Sequence, residues 1–360
     1  MRVSSQKIES QLVSVFRAWG MSEEHAATTA RMMVETDLRG VDSHGISMLP
    51  TYDQEFRAGR LNMKPVYTTV REAAASALID ADASLGHPVS VLAMNRAVDK
   101  CLEAGVAAVT VVNSHHFGAA GCYSKIAADR GVIGMVTSAT RGVTMVPTFG
   151  AEPVLGTNPL AFAAPARRNP PFLLDMATTT VAAGKVKVYK LNHRALPEGW
   201  VVDEKGHAVT DPEQAFRHVF NQPEGGITPL GGAREVGGHK GYGLAVMVHI
   251  LAGTLTGASF SPIRNRTQKP SDPHNIGHFF LAIDPRAFRD AGLFEDDLDQ
   301  VLDVLRGARP ADPAQPVLVA GDPEIATRAE RLAQGVPIPD DLMVQLRKVV
   351  DAARVPFVLT

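Results

Sequence analysis

The run Val106-Ala107-Ala108-Val109-Thr110-Val111-Val112 is continuous, apolar and rich in β-branched residues. Gly105 stops whatever precedes it, and the polar loop Asn113-Ser114-His115-His116-Phe117-Gly118 follows. A strand apolar on both faces has to be covered on both faces, as in a sheet between helical layers. Its surroundings fit that arrangement. Residues 89–104 predict a helix ended by Gly105, and residues 119–130 predict another ended by Gly131. Further apolar strands are expected at 132–136, 160–164, 172–174 and 278–283, with a helix over 240–255. The alternation predicts an α/β fold with a layered sheet.

The first 60 residues read differently. Ile8, Leu12, Val13 and Phe16 recur at helical spacing, and Gly20 stops the pattern. Ser22 can cap the next helix, with Glu23 and Glu24 suited to its positive end. That helix should reach Leu38 and end before Gly40. Pro50 suits a first helical turn, and Gly59 ends that helix. Residues 191–232 are rich in Pro, Gly and polar side chains and read as a long surface excursion. Residues 308–316 hold three prolines and read as a crossing between domains.

Several function classes are disfavoured. Basic and acidic residues number 36 and 38, and no long basic run occurs, so nothing points to nucleic acid or to a membrane surface. Cys101 and Cys122 form neither a disulfide framework nor a thiolate metal motif. The first residues lack an apolar signal core, and no apolar run reaches about 20 residues. A soluble cytoplasmic protein is expected. No Gly-x-Gly-x-x-Gly and no Gly-x-x-x-x-Gly-Lys-Ser/Thr occurs, which argues against a standard Rossmann enzyme or P-loop nucleotidase.

Six short segments could carry chemistry. Ser43-His44-Gly45 lies in a joint between helices, where an imidazole near a helix start could exchange a proton with a carbonyl. A polar capping loop would look the same. His115 and His116 fall just after the buried strand, where ligands gather in open α/β sheets. Adjacent histidines seldom face one ion and His-Glu-x-x-His is absent, so no metal is expected. Gly156-Thr157-Asn158-Pro159 is a tight turn. Asp175-Met176-Ala177-Thr178-Thr179-Thr180 joins a strand to a helix start, where free amides would attract an anion. Gly237-Gly238-His239-Lys240-Gly241 opens an apolar helix and adds a cation, a combination suited to a dinucleotide phosphate. Gly321-Asp322-Pro323-Glu324 is a further corner before a helix. Each of these has an ordinary turn or cap as its alternative.

Taken together, Arg39-Gly40-Val41-Asp42-Ser43-His44-Gly45, Leu49-Pro50-x-Tyr52, the loop from Asn113 to Gly121, Gly156-Thr157-Asn158-Pro159, Asp175-Met176-Ala177, Gly238-His239-Lys240-Gly241-Tyr242-Gly243-Leu244 and Gly277-His278-Phe279-Phe280 resemble the malate/L-lactate dehydrogenase family. That family of NAD(P)-dependent 2-hydroxyacid dehydrogenases also includes ureidoglycolate and sulfolactate dehydrogenases, diketogulonate reductase and piperideine-2-carboxylate reductase. The resemblance covers nearly the whole chain. It implies a non-Rossmann NAD(P)-binding α/β domain over 76–309 and a discontinuous helical domain from 1–75 and 310–360. It also implies a homodimer and hydride transfer between NAD or NADP and the α-carbon of a 2-oxo or 2-hydroxy acid. A cyclic imine is the alternative substrate.

By the same resemblance, Ser43 and His44 match the catalytic pair. His116 matches a histidine implicated in some members as proton acceptor, and His44 is the favoured donor. The cofactor is expected along Asp175, Met176, Ala177, Thr178 and Thr179, along Gly238, His239, Lys240 and Gly241, and at Gly321, Asp322 and Glu324. One departure stands out. Many members carry an arginine where this chain has Met48, and methionine cannot grip a carboxylate. Arg141 is then the candidate replacement, and Met48, Arg141 and Asn158 are the expected substrate contacts. Two other classes compete: a metal hydrolase built on His115, His116, His239 and His278, and a non-catalytic binding protein.

Overall fold

The apolar run becomes the strand Val106–Ser114, with Ala107, Val109 and Val111 buried on its alternate positions. In the computed structural model, which describes residues 1–264 and 268–360, this strand belongs to a seven-stranded mixed sheet. The strand order is Thr68–Ala73, Ser76–Asp80, Val106–Ser114, Ile276–Ile283, Ile133–Ser138, Leu160–Ala164 and Phe172–Met176. The first two strands pair antiparallel with an irregularity between Thr69 and Arg71, whereas Ser76–Asp80 and Val106–Ser114 pair parallel. A parallel pair needs a crossover, and the helix Gly86–Ala104 supplies it. The hairpin at 68–80 was not anticipated. Its outer strand is exposed throughout, so no apolar alternation marks it.

By compactness the chain forms two units. One comprises residues 1–136, 161–175 and 280–360; the other comprises 137–160 and 176–279. This division follows other lines than 1–75 with 310–360 against 76–309.

Two large cores lie in the first unit. Ile8, Leu12 and Phe16 of the helix Ser5–Ala18, Ala30 and Met33 of Glu23–Leu38, and Leu346, Val349 and Val350 of Asp340–Ala353 share one of them. Residues from both ends of the chain therefore build a single helical core. It is closed by pairing of Arg2–Val3 with Val336–Pro337. The expected cap is present, since Ser22 accepts from the His25 amide; Ser4, not anticipated, accepts likewise from the Lys7 amide. The second core covers the sheet through Ile79, Val98, Val109, Val136 and Phe280.

The second unit corrects the reading of 191–232 as a surface excursion. That stretch holds the helix Pro212–Phe220 and the strand pair Val201–Val202 and Gly226–Ile227. It also contributes Leu196, Val201, Val209, Ala215, Val219 and Ile227 to a small core with Val181 and Val186. The helix start was legible, since Asp211 accepts from the Gln214 amide at 2.8 Å and Pro212 occupies the first turn. The abundance of Pro and Gly masked it. Residues 317–319, expected to precede a corner, form no strand; helix Asp322–Gln334 follows them directly.

Among the described residues, no helix is long and apolar enough to cross a membrane. The shared helical core makes a specific expectation. Leu346→Ala, near the C-terminus, should destabilise the protein by about 2–5 kcal/mol, as much as Leu12→Ala near the N-terminus. Chemical denaturation of both variants, followed by circular dichroism, checks it.

Candidate active site

His44 lies between the helix Glu23–Leu38 and the helix Leu49–Arg57, just before the short turn Ile46–Met48. Its ring is half-buried, and Ser43 Oγ is 2.7 Å from His44 Nδ1. Burial holds the imidazole below the ordinary histidine range, because a charged ring there loses hydration. The helix beginning at Leu49 is one turn further along than a histidine capping it would require.

His116 reaches the same place from the sheet. It follows the strand Val106–Ser114, and its Nδ1 lies 2.7 Å from Tyr52 Oη and 3.3 Å from the Gly118 amide. An amide N–H can only donate, so Nδ1 is an acceptor and Nε2 carries the proton of the neutral ring. The His44 and His116 ring centroids are 5.3 Å apart with planes tilted by 32°. Each ring thus has its Nδ1 engaged by a hydroxyl. His115 does not share this role: it is 2% exposed and belongs to the interior. His278, in the second unit, is buried with Nδ1 2.9 Å from Ser138 Oγ.

The expected anion loops are more varied than their sequences. Asp175 is exposed as a residue, but its carboxyl packs against the chain at Gly121, where Oδ2 accepts from the amide at 2.7 Å and loses hydration. The surrounding protein mass pushes its carboxyl up to about 6, with Glu324 adding to the effect. Thr178 and Thr180 do not present the free amides expected of an anion site. Their N–H groups donate to the carbonyls of Thr157 and Thr228. The hydroxyls of Thr178, Thr179 and Thr180 are likewise bonded within the chain. The helix expected there begins only at Ala183. Met176 and Ala177 are half-buried.

The helix Gly238–His249 starts from Gly237 in the left-handed region, with no side-chain cap and no acidic residue in its first turn. His239 and Lys240 are exposed there. Gly238 and Gly241 answer to the chain itself: a Cβ on either would lie 1.9 Å from the Gly232 carbonyl or 2.1 Å from the Leu230 carbonyl. Gly321, at φ 101°, caps the helix Asp322–Gln334. Asp322 is held by Arg306 at 2.8 and 3.0 Å and by the Val319 amide, while Glu324 remains half-buried.

The expected substrate residues differ in setting. Met48 packs against the helical core of the first unit. Arg141 donates to Ser261 Oγ at 3.2 Å and to Gln268 Oε1 at 3.0 Å, both in the second unit. Asn158 is buried, with its amide donating to the Ala245 carbonyl and accepting from Thr140. Asn158 therefore pins its own turn.

The family profile described as malate/L-lactate dehydrogenase matches residues 3–347. The chain belongs to that family. It is 37% identical over 351 residues to a malate dehydrogenase of Pyrococcus horikoshii, covering 97% of this chain and 94% of that one. It is 35% identical over 338 residues to an L-sulfolactate dehydrogenase of Methanocaldococcus jannaschii, covering 94% and 93%. Its fold superposes on the crystal structure of the malate dehydrogenase from Entamoeba histolytica with a TM-score of 0.93, at 30% identity and 99% coverage of both chains.

In this member of the malate/L-lactate dehydrogenase family, the first unit brings Ser43, His44 and His116 together. Two further residues were not singled out from sequence. Tyr52 is 1% exposed, bonds His116 and stacks edge-on to His87 at 5.8 Å. It stood inside a quoted motif, but nothing in the sequence said that its hydroxyl would meet a ring 64 positions away. Asp37, 2% exposed, lies beneath the His44 loop. Tyr52→Phe should slow turnover by about tenfold, the scale of one lost hydrogen bond. It should also move the His116 ring 15N resonances, and NMR of labelled protein reads that directly.

Proposed function

We infer that the protein moves a hydride between NAD(P)H and the α-carbon of a 2-oxo or 2-hydroxy acid. The reading rests on one observation above the rest: two imidazoles 5.3 Å apart, each with Nδ1 engaged by a hydroxyl. Carbonyl reduction places negative charge on oxygen in the transition state, and donors already oriented there lower the barrier. His44 gives the proton to the developing alkoxide in reduction and takes it back in oxidation. His116 is the second donor and the competing candidate. Ser43 holds the His44 ring.

The bound nicotinamide supplies or receives the hydride. The residues suit different parts of such a cofactor. The uncapped helix start at Gly238, with Lys240 beside it and no acid in the first turn, fits a pyrophosphate. The helix start at Gly321 carries Asp322 and Glu324, which would repel phosphate but accept from sugar hydroxyls. Asp175 fits a hydroxyl or amide donor in the same way, with Met176, Ala177, Thr178 and Thr179 adjoining it in sequence. The sheet order, with an antiparallel edge and no glycine fingerprint, favours a non-Rossmann mode of binding. NAD and NADP both remain within this reading.

Arg141 is the proposed clamp for the substrate carboxylate in place of the arginine absent at Met48. Arg141→Ala should raise KM for the best 2-oxo acid by about tenfold or more with kcat less affected. An unchanged KM would leave an apolar contact at Met48 as the better account. A cytoplasmic homodimer completes the proposal, with the helices of 1–75 and 310–360 acting as one domain beside 76–309.

The deciding assay follows NADH and NADPH oxidation with a panel of 2-oxo acids and, in parallel, with piperideine-2-carboxylate. His44→Ala should lower kcat by roughly 10²–10⁴-fold. Faster turnover of the imine than of any 2-oxo acid would favour the cyclic imine reductase instead. No oxidation of either cofactor with any substrate would reject the reading.

The pH dependence has a definite sign. Oxidation needs the neutral His44 ring, and reduction needs the protonated one. Because burial holds this ring below the ordinary range, oxidation should stay active to lower pH than a free imidazole allows. Reduction should fall off correspondingly early as pH rises. Profiles of kcat/KM in both directions check this.

A further inference from the structure

Asp37 sits in the last turn of the helix Glu23–Leu38 and is 2% exposed. Its Oδ2 accepts from the Ile46 amide at 2.8 Å. Gly45 rests directly on the same carboxyl, and a Cβ there would lie 1.8 Å from Asp37 Oδ1. A second set of bonds holds the other end of the loop. Arg331, on the helix Asp322–Gln334, donates to the Asp37 main-chain carbonyl at 2.6 Å and to the Asp42 carboxylate. The Ser47 hydroxyl donates to the Asp42 carbonyl. His44 lies between these two anchored ends.

Burying a carboxyl is costly unless its polar atoms are satisfied. Burial, with the charge of Asp42 adding to it, pushes the Asp37 carboxyl up to about 8, so near neutral pH it is uncharged. A neutral carboxyl still accepts from Ile46 and avoids repelling Asp42. An apolar residue of similar volume would avoid the burial cost but would leave the Ile46 amide without its acceptor and the loop without a seat. The interaction therefore fixes where residues 42–47 run, and the His44 ring has little freedom once they are fixed.

We propose that Asp37 is a positioning residue for the reaction: its buried carboxyl, with Arg331 acting on Asp42, seats the loop that holds the His44 imidazole in working orientation. The proposal rests on the reading of His44 as proton donor. It does not touch substrate or cofactor, so its signature is a loss in kcat rather than in KM.

The test compares wild type with Asp37→Ala, Asp37→Asn and Arg331→Gln. Two readouts are used: kcat and KM for the best 2-oxo acid, and the His44 ring 15N resonances of the protein without cofactor. Asp37→Ala should lower kcat about 10²-fold while KM stays within about threefold, the pattern of a misplaced catalytic group. Its His44 resonances should shift. Asp37→Asn keeps an oxygen facing the Ile46 amide and should restore most of the lost rate. Should Asp37→Ala fail to fold, Arg331→Gln loosens the same loop through Asp42 and should shift the His44 resonances by itself. Unchanged kcat and unchanged resonances in Asp37→Ala, or unchanged resonances in Arg331→Gln where the alanine variant is unfolded, overturn the proposal. The NMR arm does not need turnover. If the wild type reduces no 2-oxo acid while Asp37→Ala still displaces the His44 signals, the functional reading fails and the anchoring stands.

Discussion

The hydrogen bond between Tyr52 Oη and His116 Nδ1 links two cores of the first unit, which also meet through Met32 packed on the sheet core and through Thr36 beside Cys122. Tyr52 belongs to the helical core built from both ends of the chain, and His116 follows an interior strand of the sheet. A buried phenol needs a partner for its hydroxyl, and a neutral imidazole with a donor at Nδ1 keeps one tautomer. One contact of 2.7 Å meets both needs. The helical layer can therefore contribute His44 and Ser43 to a place that the sheet alone would supply with a single histidine. The arrangement depends on the backbone conformation on each side. Asn113 at φ 55° and Gly118 at φ 78° turn the loop that carries His116, and the Gly118 carbon passes close to the His87 ring.

What the sequence made legible follows from short-range physics. The strand core at 106–112, the Ser22 cap and the glycine stops were readable because each is decided within a few residues. The site histidines were readable because they sit in polar loops after such elements. The helix at 212–220 escaped because Pro and Gly around it outweighed the i, i+4 pair Ala215 and Val219, although its Asp-Pro start was visible. The hairpin at 68–80 escaped for the opposite reason, since an exposed edge strand has no apolar face to show. Asp37 could not have been read at all. Its burial depends on a loop folding back over it and on an arginine 294 positions away.

The threonine segment shows how one composition serves two ends. Thr178, Thr179 and Thr180 after a strand looked like donors awaiting an anion. In place, their hydroxyls and two of their amides are turned inward to the chain. A loop can only offer to a ligand what its own fold has left over, and sequence does not reveal what is left. Met48 makes the complementary point. Its side chain has no charge to offer and packs against the helical core instead.

The glycines at 238 and 241 lie where a methyl group would strike the carbonyls of Gly232 and Leu230. Their retention is therefore enforced by self-avoidance of the polypeptide, whether or not a nucleotide ever arrives. A descendant that had lost all turnover would still be obliged to keep them. Surveys that take such glycines as a marker of an active enzyme would count silent copies together with working ones, and the residues able to tell them apart are those whose only duty is to the reaction.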